Sequence, residues 1–337
     1  MDSLTHVFLG AVAGELSAGK KVGNKALVYG AMAGNIPDID VIFTPLFNPV
    51  DALFVHRGFS HSLLLLFLLA PILAYTVSKI DRDSRLRYVN WLWLMALPWF
   101  SHLMVDIFNT YGTAIFEPFS SIRVSYDSVA IVDVFLWIVL IPATISIWFT
   151  TKNKTLRRRV AWISMSLVVV YVGASVIIKK NLESTVKNEL AVTGKEYLRI
   201  QTAPLPLGNL IWMVVVEETT GYSIEQRSVW NFSKLLSVNH IPKNHELLSP
   251  IANKYEIRRL IDFTRGLYSV EKEEQGFLIY DIRYASLAEN YPNAYVFTFR
   301  VDNWENHLTV SRAHPRRSIN FRNTVHYVKK AKRKQVE

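Results

Sequence analysis

The chain has 337 residues, enough for one membrane module and one modest further domain. Half of it is hydrophobic, its formal net charge is +10 and it contains no cysteine, which excludes disulfides and thiolate metal ligands. Much of the positive charge sits in short loops between apolar runs, where membrane topology accounts for it better than nucleic acid, so no nucleic-acid partner is expected.

The apolar residues are concentrated before residue 180. Met1 to Thr5 lacks a basic n-region, so no cleavable signal peptide is expected. Leu4 to Leu16 and Ala26 to Ile36 are short, apolar and rich in Gly and Ala. They predict a tight helical hairpin that falls short of spanning, because small residues let helix backbones approach closely in lipid. Ser62 to Ile80 and Val160 to Ile178 are nearly unbroken apolar runs, each close to the roughly 20 residues a bilayer core requires. Tyr88 to Phe108 is apolar but holds Ser101, His102 and Asp106, and Val129 to Phe149 is apolar but holds Asp133.

Three loops are basic: Lys20, Lys21 and Lys25; Lys79, Arg82, Arg85 and Arg87, set against Asp81 and Asp83; and Lys152, Lys154, Arg157, Arg158 and Arg159. Placing them in the cytoplasm predicts six alternating segments in a multi-pass cytoplasmic-membrane protein. The N-terminus and everything after residue 180 then lie outside, although Lys179 and Lys180 at the outer end of the last helix argue mildly against this. From Asn181 onward Leu210 to Val216, Gly276 to Tyr284 and Ala294 to Val301 are β-prone, and a helix or two is expected within Leu235 to Leu260. The expected architecture is an α-helical polytopic membrane domain over 1–180 with a C-terminal α+β, β-rich soluble domain over 181–337. That second domain is extracytoplasmic and ends in a basic tail, Lys329 to Lys334, suited to solvent or to anionic head groups.

The same topology gathers the candidate ligands at one face. His6 begins the first helix, Asp38 and Asp40 end the second, and His56 and His61 lie in the next loop. His102 and Asp106 lie near the outer end of the fourth segment and Asp133 near the start of the fifth. The i, i+4 spacing of His102 and Asp106 puts both on one helix face, and ionisable groups in an apolar helix tend to be functional. Taken singly, each has an ordinary reading: a His–Asp bond that glues helices, solvated acids at a helix end, a polar loop. Together, imidazole and carboxylate without thiolate suit zinc, manganese or iron, and they outnumber the three protein ligands of one catalytic zinc. One or two metal ions are therefore expected, held by His6, Asp38, Asp40, His56, His61, His102 and Asp106. Arg57, between two of these ligands, is placed to grip a phosphate; Arg123 reads equally well as an interfacial residue snorkelling to head groups.

The order Thr5-His6, Pro37-Asp38-Ile39-Asp40, His56-Arg57-Gly58-Phe59-Ser60-His61-Ser62, Ser101-His102-Leu103-Met104-Val105-Asp106, then Tyr111-Gly112 and Pro118-Phe119, resembles the YdjM-like membrane-bound metal-dependent hydrolases, formerly a domain of unknown function. The resemblance covers roughly residues 1 to 180. It implies distant similarity to the zinc-dependent phospholipase C and fungal zinc nuclease superfamily, with Asp38 or Asp40, His56 or His61, and His102 with Asp106 as ligands. The later ligands of those soluble enzymes have no obvious counterpart here.

The expected function is a metal-dependent hydrolase of the esterase or phosphoesterase class, acting on a lipid or lipid-linked substrate at the outer membrane–water interface. Asp38 or Asp40 would be the general base, with Arg57 beside them, and membrane lipids would be the partners. The alternative is a non-enzymatic membrane regulator with a structural or sensing metal. A transporter is disfavoured, because no charged residue is expected to line the cytoplasmic half of the helices.

Overall fold

Glycine spacing sets how the first helices pair. α1 (Ser3–Gly14) begins at Asp2, whose carboxylate accepts from the Thr5 amide at 3.0 Å. A π-helical turn (Glu15–Gly19), the short α2 (Lys20–Val22) and Gly23, at φ 60°, reverse the chain into α3 (Asn24–Gly34). A Cβ on Gly30 would stand 2.3 Å from the Gly10 carbonyl oxygen, and one on Gly14 would stand 2.2 Å from that of Ala26. The two backbones therefore touch, and the expected tight hairpin is present.

The structure is a computed structural model that describes residues 1–81, 86–206, 208–274, 276–284, 295–304 and 307–313. Arg82, Asp83, Arg85, Ala294 and the basic tail Lys329 to Lys334 lie outside the described residues.

After α3 come 3-10 turns at Pro37–Ile42 and Thr44–Leu46, α4 (Pro49–Val55) and a third 3-10 turn, Phe59–His61. The helices α5 (Leu63–Ile80), α6 (Tyr88–Asp106), α7 (Val134–Phe149) and α8 (Lys154–Thr193) come next. α5 buries only Leu66, Ala70 and Ala74, one stripe at i, i+4 and i+8, while Phe67, Leu68, Ile72, Tyr75 and Ile80 are exposed. An apolar surface of that extent on an 18-residue helix suits lipid.

Among the described residues, α5 and α8 are long and apolar enough to cross a membrane. A third span results if α3 and Pro37–Leu46, bent by 49°, count as one. α1 has 12 residues and α7 has 16, short of the roughly 20 a straight span needs. Length and composition by themselves thus show two or three spans among the described residues. Lys179 and Lys180 do not end the last helix, which runs unbroken for 40 residues.

The chain divides into two compact units. The first comprises Met1–Pro45, Val55–Val176 and Pro206–Gly208. Its interior joins Leu9 and Val12 of α1 to Leu136, Leu140 and Ile147 of α7 and to Ala161, Val168 and Val172 of α8. A second cluster packs Leu66, Ala70 and Ala74 of α5 with Trp91, Leu94, Met95, Trp99 and Leu103 of α6.

The second unit comprises Leu46–Phe54, Ile177–Leu205 and Asn209–Glu337. Among the described residues it holds two four-stranded antiparallel sheets, each in sequence order. The first is β1 (Arg199–Pro204), β2 (Ile211–Glu217), β3 (Gly221–Ser228) and β4 (Asn231–Pro242). α9 (Tyr255–Phe263) leads to the second: β5 (Tyr268–Glu273), β6 (Gly276–Asp281), β7 (Thr298–Trp304) and β8 (His307–Ala313). The apolar run of β2 is explained by burial of both faces. Trp212, Val214 and Val216 pack on Leu182, Val186 and Leu190 of α8, while Met213 and Val215 join Leu278 and Tyr280 of the other sheet. The helical content expected within Leu235 to Leu260 is found in its second half, as a 3-10 turn at His245–Ile251 and α9, while Asn231–Pro242 is a strand paired along β3, its exposure alternating. Period-2 burial and cross-strand pairing outweigh the helix-compatible composition there.

Candidate metal centre

Four elements bring the donors together within the first unit. α1 supplies His6, and α6 supplies His102 and Asp106 one turn apart. Pro37 stops α3 from continuing, so the chain tightens into the 3-10 turn that carries Asp38 and Asp40. The strained Arg57, at φ 59°, turns the chain between His56 and His61.

Five side chains converge with little solvent between them. His61 Nε2 lies 3.1 Å from His102 Nε2, 3.4 Å from Asp38 Oδ1 and 3.6 Å from Asp106 Oδ2. His102 Nε2 lies 3.5 Å from Asp106 Oδ2 and 3.7 Å from Asp38 Oδ1. His6 Nε2 lies 3.3 Å from Asp106 Oδ1, and the His6 ring stacks on His102 at 3.6 Å. His6, His61, His102 and Asp106 are fully buried; Asp38 keeps 12% of its side-chain surface exposed.

The hydrogen bonds around these groups fix their tautomers. His102 Nδ1 donates to the Gly34 carbonyl at 2.7 Å, which leaves Nε2 as a lone pair. Ser60 Oγ donates to Asp40 Oδ2 at 2.6 Å and so accepts from His61 Nδ1 at 2.9 Å. His61 Nε2 is then also a lone pair. Two imidazole lone pairs facing each other beside the Asp38 carboxylate repel unless a cation lies among them. Asp38 Oδ1 and both ring nitrogens of His6 are buried without a hydrogen-bond partner, and one of those nitrogens can face an ion together with Asp38 and His102. The donor set, imidazole and carboxylate, fits a divalent ion, and the buried His/Asp groups could hold one.

Asp40 and His56 stand one layer back. Asp40 accepts from the Arg57 amide at 2.9 Å and from Ser60, and its Oδ1 meets His56 Nδ1 at 3.0 Å. Asp38, Asp40 and His56 still form a group able to hold an ion, adjacent to the first. Arg57 is 2% exposed, and its guanidinium is committed within the protein. Nε lies 3.2 Å from Asp106 Oδ2, Nη1 donates to Asn109 Oδ1 at 2.7 Å and Nη2 to the Met1 carbonyl at 3.2 Å. Arg123 donates to the carbonyls of His56, at 2.8 Å, and Gly112, at 3.1 Å.

Sequence reasoning missed several partners. The Met1 amine contacts Asp106. Ser60 stands inside the His56–Ser62 motif without a role assigned by spacing, and Asn109, three residues after Asp106, carries no signal beyond proximity. Asp133 is not part of the centre: it caps α7, accepting from the Phe135 amide at 3.0 Å, and takes the Tyr171 hydroxyl at 2.6 Å. The expectation that no charge lines the other end of the helices is also corrected. Glu15, just beyond α1, and Arg157 of α8 form a buried pair, with Arg157 Nε 3.0 Å from Glu15 Oε1 and Nη1 2.6 Å from Asn24 Oδ1. Arg157 reads in the sequence as part of a basic loop, and its pairing explains the burial.

Residues 1–182 match the family described as YdjM inner membrane protein. The chain is also 28% identical over 204 residues to the uncharacterized protein YfhP of Bacillus subtilis (strain 168). That alignment takes in 56% of this chain and 59% of YfhP, so the chain spans less than two thirds of its relative. No solved structure matches.

Proposed function

The chain belongs to the YdjM inner membrane protein family, and from that premise we propose that it is a membrane-embedded, metal-dependent hydrolase. Its substrate would be an ester, most simply a phosphoester, of a lipid or lipid-linked molecule. The observation that carries the reading is the pair of Nε2 lone pairs of His61 and His102, 3.1 Å apart and facing Asp38 and Asp106. A divalent ion held there, zinc before manganese or iron, would supply Lewis acidity and neutralise charge on an ester or phosphoryl group.

The chain's own residues do the rest. Asp38, the donor with exposed surface, is placed to take the proton of an attacking water. Asp40 and Ser60 orient His61, the Gly34 carbonyl orients His102, and Arg57 with Asn109 holds Asp106. That assignment makes Arg57 a positioning residue rather than a phosphate grip. His61 ends one residue before the Ser62 cap of α5, a helix able to span, which supports a site at head-group depth. The six-segment topology, with the centre and the C-terminal unit outside the cytoplasm, belongs to the same proposal.

Purified protein should contain metal, and His102→Ala and Asp106→Ala should each lose it together with turnover of vesicle phospholipid or lipid-linked phosphate. Metal that survives both substitutions refutes the site; metal without turnover refutes the hydrolase. The near-complete burial of the centre favours a second reading, a structural or sensing ion in a non-enzymatic regulator. Intact lipid turnover in an Asp38→Asn protein that keeps its metal would exclude Asp38 as the base.

A further inference from the structure

The segment between α6 and α7 carries apolar residues that neither the helix packing nor the His/Asp centre uses. It is tied to the start of a spanning helix: the Leu63 amide, the first of α5, donates to the Ile115 carbonyl at 3.0 Å. The neighbouring Ala114 amide donates to the Arg57 carbonyl at 3.0 Å, beside the ligand loop. Thr113 and Val124 close the base of the segment with reciprocal backbone bonds of 3.0 and 2.9 Å. Between them the chain makes a turn in which the Phe119 amide donates to the Phe116 carbonyl at 3.0 Å.

This turn presents Phe116 at 49%, Phe119 at 83% and Ile122 at 69% exposure. A hydrogen-bonded turn that holds two Phe and an Ile outward is costly in water, where such residues are normally covered. The turn that carries Asp38 and Asp40 does the same with Ile42 at 71%, as does Phe43 just after it at 52%. Both apolar rims flank the ligand segments, and the first is hydrogen-bonded to the end of α5, where a spanning helix meets the membrane surface.

We propose that Phe116, Phe119 and Ile122 form a wedge that inserts into the phospholipid leaflet α5 enters, seating the mouth of the His/Asp centre among lipid head groups. The occupant is the leaflet itself. The inference rests on reading α5 as a span and deepens the proposed function by fixing the route of access: an amphiphile reaches Asp38 from the leaflet rather than from bulk water. The Pro118-Phe119 pair, which the centre leaves without a role, becomes the tip of the wedge.

Because the chain has no cysteine, single labels are unambiguous. Phe119→Cys and Ile122→Cys, each labelled with an environment-sensitive NBD fluorophore, are placed in phosphatidylcholine vesicles, with Phe67→Cys on α5 as the lipid-facing reference. Doxyl-labelled phosphatidylcholine should quench both loop labels about twofold, as it does the reference, while aqueous iodide leaves them bright. Iodide quenching without doxyl quenching overturns the proposal, because the wedge is then in water. Quenching by neither also overturns it, because the turn is then covered by protein, whether a second copy or another chain. The two positions test the turn independently if one variant fails to fold. The readout needs no hydrolysis, so its failure is distinguishable from failure of the enzymatic reading.

Discussion

Adding a single methyl group at Gly30 tests how the helix hairpin holds the centre. In Gly30→Ala the new Cβ would meet the Gly10 carbonyl oxygen at 2.3 Å and the Gly14 Cα at 2.7 Å, both backbone atoms that cannot rotate away. α1 and α3 must part by roughly an ångström, a form of overpacking that costs about 1–3 kcal/mol. α1 carries His6, and the end of α3 carries the Gly34 carbonyl that receives His102 Nδ1. Parting the helices therefore moves one donor and loosens another, although Gly30 touches no ligand. Disturbed outer partners typically weaken metal affinity about 10- to 100-fold. The assay is thermal unfolding in detergent alongside competitive metal titration. Gly173→Ala is the control, since its Cβ would meet nothing within 4 Å. Wild-type melting and affinity in Gly30→Ala, or equal damage from Gly173→Ala, would refute the reasoning.

Other substitutions separate the layers of the structure. Ser60→Ala removes the hydroxyl that joins Asp40 to His61 and should weaken metal binding about 10-fold or more by titration, with a stability loss of only about 1 kcal/mol. Asp133→Ala should cost about 1 kcal/mol through loss of the α7 cap, yet leave metal stoichiometry unchanged by elemental analysis. Arg157→Met strands the buried Glu15 carboxylate and should destabilise by about 3–5 kcal/mol in a melting experiment, much of which Glu15→Leu in the same chain should restore. In the second unit, partial burial against Tyr268, whose ring stacks at 3.8 Å, lowers the pKa of His245 below 6.5. The unfolded chain then binds the proton first, so this residue's contribution to stability is present above pH 6.5 and declines as pH falls below it. His245→Phe should flatten that part of the stability–pH curve, and an unchanged slope would discount the residue.

The helical character of the first 180 residues is readable because apolar runs and small-residue spacing are local properties. Gly10, Gly14, Gly30 and Gly34 announce a close helix pair by composition alone, and β2 announces itself as a buried strand by its unbroken apolar run. Span number is less readable. Loop charge constrains orientation, but whether Ala26 to Ile36 crosses or bends depends on the turn that Pro37 opens. The strand at Asn231–Pro242 escapes a local reading because its pairing partner, β3, is a separate stretch of chain.

The residue types gathered in the cluster were legible in the sequence alone: His6, Asp38, Asp40, His56, His61, His102 and Asp106, with no thiol among them. Only the tertiary structure sorted them into layers. It turned the Nε2 atoms of His61 and His102 toward Asp38 and Asp106, set Asp40 and Ser60 behind His61, folded Arg57 onto Asp106, and took Asp133 away to cap a helix. It also brought out the Glu15–Arg157 pair, which no local pattern joins across 142 positions. The reason is physical: a ligand is defined by where its lone pair points. That direction is set by hydrogen bonds with residues distant in the chain, such as that from His102 Nδ1 to the Gly34 carbonyl, and no spacing rule encodes them.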